Sequence, residues 1–206
     1  MNMERRILTG STVELRAAGD KGPAALVGYA AVFNSRSLDL GGFQEIIAPG
    51  AFEKVVADAD EDTRALFNHD RHRVLGRRSA GTLRLREDDD GLHDEIDLPD
   101  TTLGRDIAES VGRRDITGQS FSFIVAEDGD EFADVDGVLI RTIRRFERLF
   151  DVGPVTFPAY EGTTVDARAI DHAKQFAKKH RHKITDTQFK REYRKRWPFD
   201  RRSAGV

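Results

Sequence analysis

The chain has 206 residues, 38% hydrophobic and 33% charged, with a net charge of -3, which suits one domain of about 150 residues plus tails. It contains no cysteine, which excludes disulfide frameworks, thiol nucleophiles and thiolate metal sites and leaves serine, threonine and histidine chemistry. No run of eighteen apolar residues and no signal-peptide pattern occurs, so a soluble, unsecreted protein without a membrane partner is expected.

The charge is divided along the chain. Residues 167–206 carry 13 Lys and Arg against 4 Asp and Glu, whereas residues 1–166 carry 20 against 32. An acidic body with a basic tail follows. Residues 1–24 read as a weakly structured lead-in with a strand near Thr12 to Ala17. Ala25 to Phe33 is an apolar strand, residues 34–42 a loop, and Phe43 to Ala48 a second strand. Pro49 opens a short helix over Gly50 to Ala59 that turns Phe52, Val55 and Val56 inward.

Thr63 to Phe67 reads as a strand delivering His69, and Asp70 is expected to cap or to pair with Arg71 or Arg73. His69 and His72, with His93 and Asp94 downstream, lack the helical His-Glu-x-x-His pattern. A zinc hydrolase needs three converging ligands, so neither metal nor cofactor is expected. Thr82 to Arg86, an acidic turn at Glu87 to Gly91, and Leu92 to Leu98 form a hairpin. Leu103, Ile107, Ala108 and Val111 form a helical stripe capped by Asp100 or Thr101.

Gly118 to Val125 is an apolar strand with a hydroxyl in its middle. Phe121, Phe123 and Val125 share one face, and Ser120, Ser122 and Ile124 the other. A strand buried on its aromatic side holds the opposite side rigidly, which suits a nucleophile at Ser120, with Ser122 near it. A serine hydroxyl needs a base and a group to orient that base. His69 lies 51 residues before Ser120, and Asp151, a lone acid in an apolar run, lies 31 residues after it. A carboxylate there is costly unless paired, and triads occur in several chain orders. The segment is not the Gly-x-Ser-x-Gly elbow, because position 122 is serine.

Glu127 to Gly137 reads as an acidic turn and Val138 to Phe150 as one returning strand whose Arg141, Arg144, Arg145 and Arg148 form a solvated face. Gly153 to Tyr160 is placed to supply backbone N–H groups to an oxyanion, Pro154 and Pro158 excepted. From Asp166 a helical stripe runs through Ile170, Ala173 and Phe176 or Ala177, and a second helix is framed by Thr185, Gln188, Phe189, Tyr193, Trp197 and Pro198. This tail reads as solubilising or as a docking segment; nucleic-acid binding is least supported, since no recognised module is present.

Several separated blocks carry a resemblance. They are Gly28 to Phe33; Ile47 to Phe52; Phe67-Asn68-His69-Asp70 with Leu75-Gly76-Arg77; Gly81-Thr82-Leu83; Asp89 to Leu92; Asp115 to Phe123; and Val155 to Tyr160. In order and spacing the chain, from Val27 to Thr164, resembles the prohead maturation proteases of tailed bacteriophages, serine peptidases similar in fold to the herpesvirus assemblins. The resemblance implies His69 as base, Ser120 as nucleophile and Asp151 as the third member, where the family commonly has Glu. It implies a lead-in over 1–24 that is trimmed, a protease domain over 25–165 and a basic helical or disordered tail over 166–206. The expected fold is α+β, a mostly antiparallel barrel-like sheet flanked by a few helices. Implied partners are the major capsid protein with its scaffolding segment, and the protease itself, as substrate and as homodimer. The implied location is the assembling prohead in the host cytoplasm. The competing reading is a non-catalytic assembly or scaffolding protein with a basic docking tail.

Overall fold

The structure, a computed structural model, describes residues 3–6, 10–19, 23–40, 42–157 and 167–179. Three sheets result from the alternating patterns. In the first, β9 (Gly118–Val125) lies between the short strand β1 (Glu4–Arg6) and β12 (Phe146–Val155), followed by β5 (Arg64–Leu66) and β6 (Val74–Arg77). The second orders β10 (Asp130–Val135), β11 (Val138–Ile143) and β4 (Gln44–Ile47). The third orders β2 (Thr12–Arg16), β3 (Ala25–Val32), β8 (Gly91–Asp97) and β7 (Leu83–Glu87). With helices α1 (Glu53–Ala57), α2 (Thr102–Gly112) and α3 (Ala167–Lys179), the class is α+β. No helix among the described residues is long and apolar enough to cross a membrane.

The barrel-like sheet of the sequence reading is corrected: the three sheets are open, and no closed barrel forms among the described residues. Closure needs edge strands that pair along their length. Here the edges of the first sheet, β1 and β6, are three and four residues long and are not neighbours. Pairing is antiparallel except where β12 meets β5 and β11 meets β4.

The main core is aromatic. Phe52 stacks on Phe146 at 4.4 Å between ring centres, Phe121 on Phe123 at 5.0 Å, and Phe123 meets Phe146 edge-on at 4.8 Å. These contacts fix β9 against β12, each aromatic pair adding about 0.5–1.5 kcal/mol beyond its burial. Helix α1 is shorter than the stretch read from Gly50 to Ala59, because Gly50 has φ +88° and Asp58 is extended. The Glu87 carboxylate accepts hydrogen bonds from the Gly50 and Phe52 N–H groups, donors that a helix start leaves unpaired. At α2 the cap is Thr101, whose Oγ1 accepts from the Gly104 N–H at 3.2 Å. Ala169 and Ala173 of α3, with Phe176, pack on a second cluster with Phe43, Leu139 and Phe132. The second tail helix, Thr185 to Pro198, lies outside the described residues.

Three local readings change. The stretch read as a lead-in holds the expected strand as β2 and a further strand, β1, whose Glu4 and Arg6 are buried. The stretch read as a turn from Glu127 to Gly137 contains β10, paired along its length with β11. The returning strand breaks at Arg144 and Arg145 into β11 and β12. Arg144, Arg145 and Arg148 are exposed, but Arg141 is buried beside Glu4, Glu45 and Asp130. Burial opposes its charge, yet Glu45, Glu4 and Asp130 outweigh that and raise its pKa.

Candidate active site

Three elements of the first sheet converge at one end. On β9, Phe121, Phe123 and Val125 sink into the core, leaving Ser120 and Ser122 on the opposite face. Strand β12 runs antiparallel to β9 and parallel to β5, so it lies between the serine strand and the histidine segment. It shifts register between Leu149 and Asp151, which sets Asp151 opposite both Ser122 on β9 and Arg64 on β5.

The histidine leaves β5 through a tight turn, Phe67–His69, in which Asn68 and His69 have φ 54° and 57°. Asn tolerates this left-handed conformation; for His it is uncommon and needs support from its surroundings. A two-way clamp provides it: Asn68 Nδ2 donates to Thr156 Oγ1 and Asn68 Oδ1 accepts from the Thr156 N–H, both at 2.9 Å. The turn is thereby tied to the end of β12. Gly153, opposite Ser120, has φ +151°, and a Cβ there would lie 2.2 Å from the Leu66 carbonyl oxygen. Only glycine lets β12 approach β5 this closely.

The result brings all three sequence candidates together. His69 Nδ1 is 2.5 Å from Asp151 Oδ1, and His69 Nε2 is 2.6 Å from Ser120 Oγ. The His69 and Asp151 side chains are each 7% exposed. A carboxylate against Nδ1 places a proton there, which leaves Nε2 as an acceptor facing the Ser120 hydroxyl. Ser122 Oγ lies 3.1 Å from Nδ1 and shares that N–H. The expected cost of a lone acid in an apolar run is met by this pairing. Ser120 itself is 1% exposed, and its hydroxyl also reaches the Arg6 carbonyl oxygen at 3.0 Å.

Asp70 stands apart from the site: its Oδ1 accepts from the His72 N–H at 2.9 Å and its Oδ2 lies 3.6 Å from Arg73. Of the stretch read as an oxyanion segment, Gly153 to Phe157 is described and Pro158 to Tyr160 lies outside the described residues. No three His, Asp or Glu side chains among the described residues converge as a metal-binding group.

Sequence reasoning missed the Asn68–Thr156 clamp and a second polar pair beside the site. Gln119 Nε2 donates to Asp94 Oδ1 at 2.7 Å and to the Thr12 carbonyl at 2.8 Å. The signal for Asp94 was present: it alternates with Leu92 and Ile96, which are core residues, so period two points it inward.

The profile of the caudovirus prohead serine proteases matches residues 11–176. The prohead protease of Enterobacteria phage HK97 is 29% identical over 172 residues, covering 81% of this chain and 70% of that protein. No solved structure matches the chain.

Proposed function

The chain belongs to the caudovirus prohead serine protease family, and on that premise we propose that it is the serine endopeptidase of capsid maturation, acting through Ser120, His69 and Asp151. The observation that carries this reading is the continuous relay from Asp151 Oδ1 through His69 to Ser120 Oγ, with gaps of 2.5 and 2.6 Å.

In the proposed reaction His69 Nε2 takes the Ser120 proton as Oγ attacks the scissile carbonyl. His69 then gives that proton to the leaving amine, which departs and leaves an acyl-enzyme. Water, deprotonated by the same imidazole, releases the acyl group and restores Ser120. Asp151 holds the Nδ1 proton, fixing the tautomer and stabilising the imidazolium when it forms. The proposed substrates are the scaffolding segment of the major capsid protein and the protease itself. Confinement in a closed prohead raises the effective concentration of both, so weak binding suffices.

The test is coexpression of Ser120→Ala with the capsid protein of the same phage. The capsid protein is expected to stay full length, and the variant to fold and keep its own full mass while the wild type loses residues. Continued processing by the variant would remove Ser120 from the nucleophile's role. Equal masses for the two proteases would remove self-cleavage.

A further inference from the structure

Ser120 is 1% exposed, so no substrate carbonyl reaches its oxygen in this conformation. Beside His69 and β12, the protein's own N-terminal strand lies against it. Strand β1 pairs antiparallel with β9, Glu4 against Phe123, Arg5 against Ser122 and Arg6 against Phe121. The Arg6 carbonyl oxygen is 3.0 Å from Ser120 Oγ, while His69 Nε2 is 2.6 Å from it. The hydroxyl has one hydrogen and therefore two competing acceptors.

We infer that the β9 edge is the seat of an extended polypeptide substrate and that β1 occupies this seat, so that substrate strand and β1 exclude one another. This rests on the reading of Ser120 as the nucleophile. An extended peptide added to a sheet edge draws its affinity from main-chain hydrogen bonds, and β1 uses the same edge of β9 that such a peptide would need. A ladder of three residues holds weakly by itself. Side chains hold it instead. Arg6 Nε donates to Glu45 Oε1 at 2.7 Å and Arg6 Nη2 to Glu45 Oε2 at 3.0 Å; Arg141 Nη1 donates to Glu4 Oε2 at 3.0 Å.

The composition of this buried cluster makes release feasible. A buried charge that loses its partner is costly, but of the β1 side chains it is Glu4 and Arg6, one acid and one base, that form the cluster's ion pairs, so their departure leaves its net charge unchanged. Arg141 keeps Glu45 Oε2 at 2.9 Å and Asp130 Oδ2 at 2.6 Å. The latch can open without stranding a cation in the body.

The test uses the full chain and a serine-directed fluorophosphonate. Arg6→Glu sets a carboxylate against Glu4 and Glu45 and expels β1; it is expected to label at Ser120 on the order of tenfold faster than the wild type, because reaction scales with the uncovered fraction. Equal labelling rates would overturn the occupancy of the seat and leave Ser120 as nucleophile. Absence of label on both proteins, with Arg6→Glu folded by circular dichroism, would overturn the nucleophile and this inference with it. Should Arg6→Glu not fold, hydrogen exchange on the wild type decides. A phosphonyl group on Oγ leaves no room for the Arg6 carbonyl, so amides of residues 4–6 are expected to lose protection once Ser120 is labelled. Unchanged protection after complete labelling would overturn the inference.

Discussion

In the proposed triad Asp151 is the third member, and its short side chain meets His69 Nδ1 just after β12 shifts register. That geometry sets a specific expectation. Asp151→Asn preserves shape but can present an amide N–H to Nδ1, which favours the tautomer with its proton on Nε2, and Nε2 then cannot accept from Ser120. The loss expected in kcat is on the order of 10,000-fold, as for such a change in other serine protease triads, with the fold intact. Cleavage of a peptide spanning a capsid processing site, followed with purified enzyme, measures it. A loss under about tenfold would mean that Asp151 does not orient the histidine. As candidates these three residues were legible chiefly through the sequence blocks that carry the family resemblance, beside a rigid hydroxyl, a histidine at a strand end and an acid too costly to bury alone. Arg6 and Arg141 were not, since an ion pair formed across 39 or 96 residues, as these two make with Glu45, leaves no local pattern.

At the scale of elements, the site depends on how closely β12 lies to β5. Gly153→Ala puts a Cβ against the Leu66 carbonyl in a backbone region that alanine rarely adopts. Strand β12 must then move off β5 and draw Asp151 from His69. A destabilisation of roughly 2 kcal/mol or more is expected, together with lost labelling of Ser120, read by urea unfolding and by the fluorophosphonate. A variant with wild-type midpoint and labelling would show that the close approach is dispensable. Element identity was read well where one face is apolar, as in β3, β9 and the β7–β8 hairpin, because period two is set by burial alone. It was misread in β10, whose residues are mostly exposed and half of them acidic. Strand pairing there comes from the partner β11 and not from the segment's own propensity. The open sheets were likewise invisible, since whether an edge finds a partner is a property of two distant strands.

For the molecule as a whole, the polar pair Asp94–Gln119 links the two larger sheets. Gln119 projects from β9 to Asp94 on β8 and to the Thr12 carbonyl on β2, passing Gly28, where a Cβ would come within 2.9 Å of Gln119 Nε2. Among the described residues Asp94 Oδ2 and Gln119 Oε1 have no hydrogen-bond partner, and burial pushes the Asp94 carboxyl up from 3.8 to about 7, against the lowering effect of hydrogen bonds from Gln119 and the backbone. The unfolded chain therefore ionises this group near pH 4, while the folded protein holds its proton to about pH 7. Its contribution to stability is fully present below the lower value and is lost as pH rises through the higher one. Asp94→Asn keeps an acceptor for Gln119 but cannot ionise. Its stability relative to the wild type should therefore rise between about pH 4 and pH 7 and stay level above, by up to roughly 4 kcal/mol. Urea unfolding of both proteins at pH 5, 6, 7 and 8 gives the difference at each step. The amide's extra N–H shifts that difference by a constant and leaves its slope alone, so a difference independent of pH would show that Asp94 is already ionised in the folded protein.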